Sequence, residues 1–204
     1  FDWALRVGEE VFMQRYDAET DTYNMGHDFD ITGNLPLGLK LKYKIADKLF
    51  SKVRALFGKN FKHSFSASAS ISPELLKFFY IIGIRVSEGY GSTESFNACC
   101  NMPLVACRPG SVGLASNGSR LRVSEIGELE ITGAGIFKRY WNKPQETAES
   151  FTADGWFKTG DKVEVDKYGY YKIVDRIKAI ICLSSGKNVA PAKIESLFAT
   201  SPYI

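Results

Sequence analysis

No apolar run in this 204-residue chain approaches the ~20 residues that a bilayer-crossing helix needs, which argues against a helical membrane span within it. Cysteine and histidine are scarce, at four and two. Cys99, Cys100, Cys107 and Cys182 form no C-x-x-C pair, and His27 and His63 have no metal-ligand spacing to them. A zinc site and a disulfide framework are therefore not indicated, and the thiols read as reduced, small apolar residues. Charge of one sign is missing too: 26 Lys and Arg face 23 Asp and Glu, for a net +3. That balance, with 45% hydrophobic residues, argues against disorder and against an obligatory polyanion partner. No internal repeat is visible.

What is present suffices for one core and is marginal for two. Residues 1–11 carry apolar side chains at helical spacing. Residues 17–38, rich in Asp, Asn, Gly and Thr, read as a loop. Residues 39–57 predict a helix with Tyr43, Ala46, Leu49, Phe50, Val53 and Phe57 on one face. Next comes a strand–helix–strand unit. Residues 63–71 alternate with period two, and their small side chains leave room for a ligand to approach. Ser72-Pro73-Glu74 supplies a hydroxyl N-cap, a proline at the first helical position and an acid at the positive end of the dipole. Leu75, Leu76, Phe78, Phe79 and Ile82 would pack that helix, and Gly83 can close it. Residues 84–88 form the second strand. A right-handed crossover makes the two strands parallel. The loop from Gly89 then falls at a strand's C-terminal end, where open α/β sheets bind ligands.

From Gly110 the pattern is all-β, with glycines punctuating short strands. Residues 144–148 read as a short helix, and residues 163–165 and 170–173 flank a hairpin turn. Residues 179–182 read as a strand, 184–187 as a turn and 191–199 as a helix start. A domain boundary is expected at residues 175–178, dividing the chain into 1–174 and 175–204. The first residue is not methionine and the last lies in a helix-like pattern, so an internal piece of a longer protein is expected.

Two segments carry the chemistry. Gly89-Tyr90-Gly91-Ser92-Thr93-Glu94 combines a glycine-flanked aromatic, two hydroxyls and a carboxylate, which can offer a flat face to a base, donors to a phosphate and an oxygen ligand to Mg²⁺. Asp161, in Trp156-Phe157-Lys158-Thr159-Gly160-Asp161, and Arg176, in Val174-Asp175-Arg176, could hold a ribose. Together they suggest an adenine nucleotide site. Plainer readings stand beside these: Tyr90 as a core aromatic, Glu94 as a helix cap, Asp161 as a turn residue and Arg176 as a surface ion pair. Lys40, Lys42, Lys44, Lys48, Lys52, Arg54, Lys59 and Lys62 are accompanied by one acid, Asp47. Their first reading is a solvated helix face. The second is a membrane-surface helix or a dock for anionic ligands. Nucleic acid is not expected, because no RNA-binding aromatic signature accompanies the lysines.

These motifs, in this order, resemble the AMP-forming adenylate ligase superfamily, and within it the long-chain fatty acid–CoA ligases. The remaining pieces are Arg108-Pro109-Gly110-Ser111-Val112-Gly113, Gly127-Glu128-Leu129, Tyr140-Trp141-Asn142-Lys143-Pro144, Val174-Asp175-Arg176-Ile177-Lys178 and Gly186-Lys187-Asn188-Val189-Ala190-Pro191. The resemblance covers nearly all of the chain from Leu56 onward. It implies an α/β fold: the distal part of a large domain with a parallel α/β sheet and a β-rich subdomain, then the start of a small mobile α+β domain. It also implies roles. Tyr90, between Gly89 and Gly91, stacks on adenine, with Ser68, Ala69 and Ser70 on the other side. Ser92 and Thr93 reach the phosphates, Thr93 touching the α-phosphate, and Glu94 holds Mg²⁺. Asp161 accepts from both ribose hydroxyls, with Ile173 and Arg176 lining the same nucleotide. Lys178 is the hinge pivot, and Gly186 lines the pantetheine tunnel.

The implied reaction joins a fatty acid to CoA with ATP and Mg²⁺, through an acyl-adenylate, in a cytoplasmic enzyme with a peripheral membrane contact as the second reading. A phosphate loop upstream of these residues and a catalytic lysine downstream belong to that pattern, so this chain alone is expected to be inactive. Departures are Ser66 to Ser70, where the family has glycines, and Ala179, where an acid is common. The alternatives are a ligase for another carboxylic acid or carrier thiol, and a non-catalytic nucleotide- or lipid-binding relative.

Overall fold

The computed structural model describes residues 1–69, 71–95, 98–116, 118–182 and 188–198. Contacts divide the chain into two compact units, Phe1–Glu88 with Met102–Gly110, and Gly89–Asn101 with Ser111–Ile204.

The first unit is built on helices. Apolar spacing near the N-terminus forms α1 (Asp2–Phe12), which buries Ala4, Val7, Val11 and Phe12. The expected loop over residues 17–38 contains a small antiparallel pair, β1 (Tyr16–Asp17) and β2 (Thr22–Tyr23). The lysine-rich helix is α2 (Leu37–Arg54), which packs Ala46 and Phe50 inward against α1. The two helices approach closely at Gly8, where a Cβ would lie 2.8 Å from Ile81 Cγ2 and from Phe50 Cε2.

The strand–helix–strand unit is present with altered limits. β3 spans only Ser64–Ser66, because Ser68 adopts φ +71°, outside the extended region. α3 (Pro73–Ile81) starts as its sequence dictates: Ser72 accepts from the Leu75 amide at 3.1 Å, with Pro73 in the first turn. Leu76, Tyr80, Ile81 and Ile82 are buried, whereas Leu75, expected to pack, is exposed. Gly83 closes the helix at φ +82°. β4 (Val86–Gly91) follows, and Val86–Glu88 pair with β3 in parallel as expected. Glu88 is buried and accepts from the Gly110 amide at 3.2 Å. Burial raises its carboxyl to about 7 against that hydrogen bond.

The second unit is β-rich. Gly89–Gly91 continue β4 and pair antiparallel with β5 (Ala98–Asn101), which pairs with β6 (Leu114–Ala115). The loop expected from Gly89 therefore begins only at Ser92. Paired backbone, not side-chain propensity, keeps the glycines extended. An antiparallel sheet in the order β10-β9-β8-β7 is formed by β7 (Ser119–Val123), β8 (Glu128–Gly133), β9 (Phe157–Val165) and β10 (Tyr171–Arg176). α4 (Pro144–Glu149) is the expected short helix before β9. Cys100, Leu129, Ile131 and Val163 form the core, with Tyr90, Val112, Leu121, Ile136, Tyr171 and Ile173 packed around it. After β10 come a 3-10 turn (Ile177–Ala179), the pair β11 (Ile181–Cys182) and β12 (Asn188–Val189), and α5 (Pro191–Phe198). The strand expected over 179–182 is thus shortened by the turn.

Candidate functional site

Three register shifts converge on the polar end of the second unit. On β9 three residues, Thr159-Gly160-Asp161, lie between Lys158 and Lys162, where β8 has only Leu129 between their partners Glu130 and Glu128, so the three bulge outward. On β10 the register shifts between Ile173 and Asp175, which sets Arg176 directly across from Asp161. β4 and β5 shift between Tyr90 and Gly91. Bulges of this kind re-aim side chains and are common beside active sites. The β9 bulge is pinned by backbone contacts. Thr159 Oγ1 donates to the Leu129 carbonyl at 2.8 Å and accepts from the Asp161 amide at 3.1 Å. The Gly160 amide donates to Glu128 Oε1 at 2.8 Å, and its φ of +74° favours glycine there.

The bulge delivers the Asp161 carboxylate to two donors. The Tyr90 hydroxyl donates to Oδ2. Arg176 Nε lies 3.0 Å from Oδ1, while its Nη1 donates to the Thr159 carbonyl at 3.1 Å. The Asp161 side chain is 9% exposed and that of Arg176 is 66% exposed. Asp161 is therefore not the turn residue of the plainer reading but a buried strand residue. The Tyr90 ring is half-buried against the core while its hydroxyl serves Asp161. Ile173 also packs on that core, opposite Val163 on β9.

The loop after β4 folds on itself. The Ser92 amide donates to Ser95 Oγ at 2.8 Å, and Ser95 Oγ donates back to the Ser92 carbonyl at 3.1 Å. Thr93 is exposed. Glu94 is held from two sides: its carbonyl accepts from the Phe137 amide at 2.7 Å and its Oε1 from the Tyr140 hydroxyl at 2.9 Å. Burial pulls the Glu94 carboxyl upward, but hydrogen bonds from its own amide, Tyr140 and Ser92 and the charge of Arg176 outweigh it, leaving the carboxyl below its ordinary value. Tyr140 is fixed by an aromatic cluster, with Phe137 at 4.7 Å, and Phe137 in turn meets Phe151 and Phe157 at 5.4 Å each. Tyr140 and Thr159 have positions here that sequence reasoning did not give them. Tyr140 stood in a quoted motif without a role, and its spacing of 46 residues from Glu94 carries no local signal.

An open groove of about 810 Å³ lies beside this cluster, lined by Glu128, Lys158, Thr159, Gly160, Arg176, Lys178 and the end of α4. Lys178, the expected pivot, thus shares a groove with Arg176. Gly89 and Gly91 are paired strand residues. Ser68 and Ala69 are exposed residues of the first unit. Ser70 and Gly186 lie outside the described residues.

The donor set suits an oxygen-seeking cation held largely by its substrate. Among the described residues no cluster of three His, Cys, Asp or Glu side chains could cage a metal. Glu94 instead offers a single ionised carboxylate beside two hydroxyl residues, and Mg²⁺ is usually bound by one or two carboxylates together with substrate phosphates.

A glycine-flanked tyrosine, a buried aspartate and an arginine are thus gathered at bulged strand ends of a mixed α/β fold. The chain belongs to the AMP-binding enzyme family, whose pattern matches residues 25–141. It is 38% identical over 173 residues to a long-chain-fatty-acid–CoA ligase of Mycobacterium bovis, covering 84% of this chain and 29% of that protein. It is 34% identical over 170 residues to a malonate–CoA ligase of Arabidopsis thaliana, covering 79% of this chain and 28% of the relative. The chain thus spans under a third of the length of these curated relatives. Among solved structures, ATP-bound MatB from Rhodopseudomonas palustris shares 28% identity at a TM-score of 0.62, over 78% of this chain and 38% of that one.

Proposed function

We propose that the protein carrying this chain is an AMP-forming acid–CoA ligase that activates a long-chain fatty acid with ATP and passes the acyl group to CoA. The observation that carries the reading is the Asp161 carboxylate, buried between Tyr90 and Arg176 at a bulge built to present it. In this reading Tyr90, between Gly89 and Gly91, offers its ring to adenine. Asp161 accepts from the ribose hydroxyls, with Arg176 and Ile173 beside it. Ser92 and Thr93 turn their hydroxyls to the phosphates.

Glu94 would hold Mg²⁺, which when bound offsets the negative charge that spreads over the α-phosphate as pyrophosphate leaves. Against the pull of burial, hydrogen bonds from its own amide and from Tyr140 hold the Glu94 carboxyl below its ordinary value, and the Tyr140 hydroxyl orients it. Lys158, Arg176 and Lys178 line the groove together with Glu128, Glu146 and Glu149, so cations and acids are balanced there. Residues 175–178 form the hinge between a large domain ending near residue 174 and a small domain beginning at 175, with Lys178 as pivot and Gly186 on the moving side.

The long-chain substrate is supported by the 38% identity to a long-chain ligase. A small dicarboxylic acid is the second reading, supported by the 34% identity to a malonate ligase. A cytoplasmic enzyme is part of the proposal; among the described residues no helix is long and apolar enough to cross a membrane. A peripheral membrane contact would use α2, whose exposed Leu37, Leu41, Ile45 and Leu49 lie among lysines. Vesicle co-sedimentation with Lys48→Glu and Lys52→Glu together tests that contact. The activity is tested by ATP–pyrophosphate exchange on the complete protein with palmitate or malonate, beside Asp161→Ala. Palmitate-dependent exchange that the variant loses supports the reading. Malonate-dependent exchange moves it to the second acid, and no exchange with any acid removes adenylation.

A further inference from the structure

We propose that the Tyr90 hydroxyl is a positioning group: it orients the Asp161 carboxylate toward a vicinal diol, a role separate from any use of its ring. The inference rests on the ribose reading of Asp161 and goes beyond it by assigning the hydroxyl a function.

A carboxylate turns broadly about its last torsion, so burial alone does not set its plane. Two donors set it here. Arg176 reaches Oδ1 from a side chain that is 66% exposed, a weak tether. Tyr90 reaches Oδ2 from a ring packed on Cys100, Leu129, Ile131 and Val163, with its backbone paired to Cys100 in β5. The firm anchor is therefore Tyr90. An ionised carboxylate has about four acceptor positions, two on each oxygen. Among the described residues Tyr90 takes one on Oδ2 and Arg176 one on Oδ1, which leaves one on each oxygen. Two acceptors side by side, in a plane fixed by a rigid donor, match the two hydroxyls of a ribose.

The test compares ATP with dideoxy-ATP, which lacks both ribose hydroxyls, by calorimetry on the complete protein and its Tyr90→Phe variant. Phenylalanine keeps the ring, so adenine stacking and core packing are retained, and thermal unfolding checks the fold. Loss of the group that fixes the carboxylate plane predicts about tenfold weaker ATP binding in Tyr90→Phe, the cost of one misaligned hydrogen bond between ribose and a charged group. Dideoxy-ATP affinity should change less than twofold, and KM for ATP should rise with kcat nearly unchanged. An equal loss for both nucleotides assigns the effect to stacking or packing and overturns the proposal. Unchanged ATP affinity overturns it as well. If Asp161→Ala also binds ATP normally, the ribose reading itself has failed; if only Tyr90→Phe is silent, that reading stands without this inference.

Discussion

Two guanidinium–carboxylate clusters sit in the second unit, and they differ in what they leave open. Arg122 is closed off. Its Nε donates to Glu130 at 2.5 Å, its two terminal nitrogens donate to Asp154 at 2.6 and 2.9 Å, and its plane lies 4.4 Å from the Trp156 ring. Those bonds hold the Asp154 carboxyl far below its ordinary value. Arg176 has one bond to a carboxylate and one to a backbone carbonyl, and it faces a groove. The same chemistry gives a structural clamp where all three guanidinium nitrogens hold carboxylates, and a candidate site where the acid is buried but not saturated.

The widest separation between the clusters should come from Asp161→Ala. Two charge-assisted bonds to ribose are worth about 1.5–3 kcal/mol each, so ATP binding should weaken by about 4 kcal/mol, roughly a thousandfold. Asp166, whose Oδ1 accepts from the Tyr168 and Tyr170 amides in the hairpin turn, is the control. Asp166→Ala should leave nucleotide affinity unchanged, and calorimetry showing equal losses in both variants would end the distinction.

A buried carboxyl bonded to a backbone amide sharpens the comparison from the other side. Glu88 has the Gly110 amide where Asp161 and Glu130 have guanidinium groups. Its folded value of about 7 lies above the ordinary 4.5. Below about 4.5 both folded and unfolded states carry the proton and the full stability is present. As pH rises toward 7 the unfolded chain ionises first, so stability falls, levelling off above 7. The loss is on the order of 3 kcal/mol. Denaturant titrations from pH 4.5 to 8 should show that slope, and Glu88→Gln should flatten it.

Arg122→Ala should reverse the pattern of Asp161→Ala. It leaves Glu130, whose side chain is 8% exposed, without its cation, so the melting temperature should drop by several degrees while ATP affinity stays the same. A nucleotide defect in this variant would show that the two clusters are not separate.

The sequence made some of this legible because the signal was local. Ser72-Pro73-Glu74 is a capping pattern complete within three residues, and α3 begins there. The β9–β10 hairpin carries its turn and its alternation in one short stretch. Asp161 and Arg176, both assigned to one ribose from the quoted motifs, stand opposite each other as a cross-strand pair. Other features depend on distant partners. Gly89–Gly91 read as a loop because glycine is a poor strand former, and only β5 makes them strand. The Tyr90 hydroxyl meets Asp161 across 71 residues, and the bulges that aim them exist only as register between strands. Arg122 gave no signal at all, since its three partners lie 8, 32 and 34 residues away.

The smallest effect is the most specific. Arg176 is two-thirds exposed, so its ion pair with Asp161 adds little to stability, and Arg176→Ala should leave the melting temperature almost unchanged. Its contribution to a nucleotide beside Asp161 should be about 1 kcal/mol, a roughly fivefold loss of ATP affinity. The two arginine variants would then fall in opposite columns: Arg122→Ala stable only at lower temperature yet binding normally, Arg176→Ala folded normally yet binding less well. Added salt separates the remaining explanation. Screening acts strongly on an exposed charge, so the fivefold gap should narrow between low and high ionic strength if Arg176 works through its charge. A gap that persists unchanged would assign the loss to packing of its side chain along the groove.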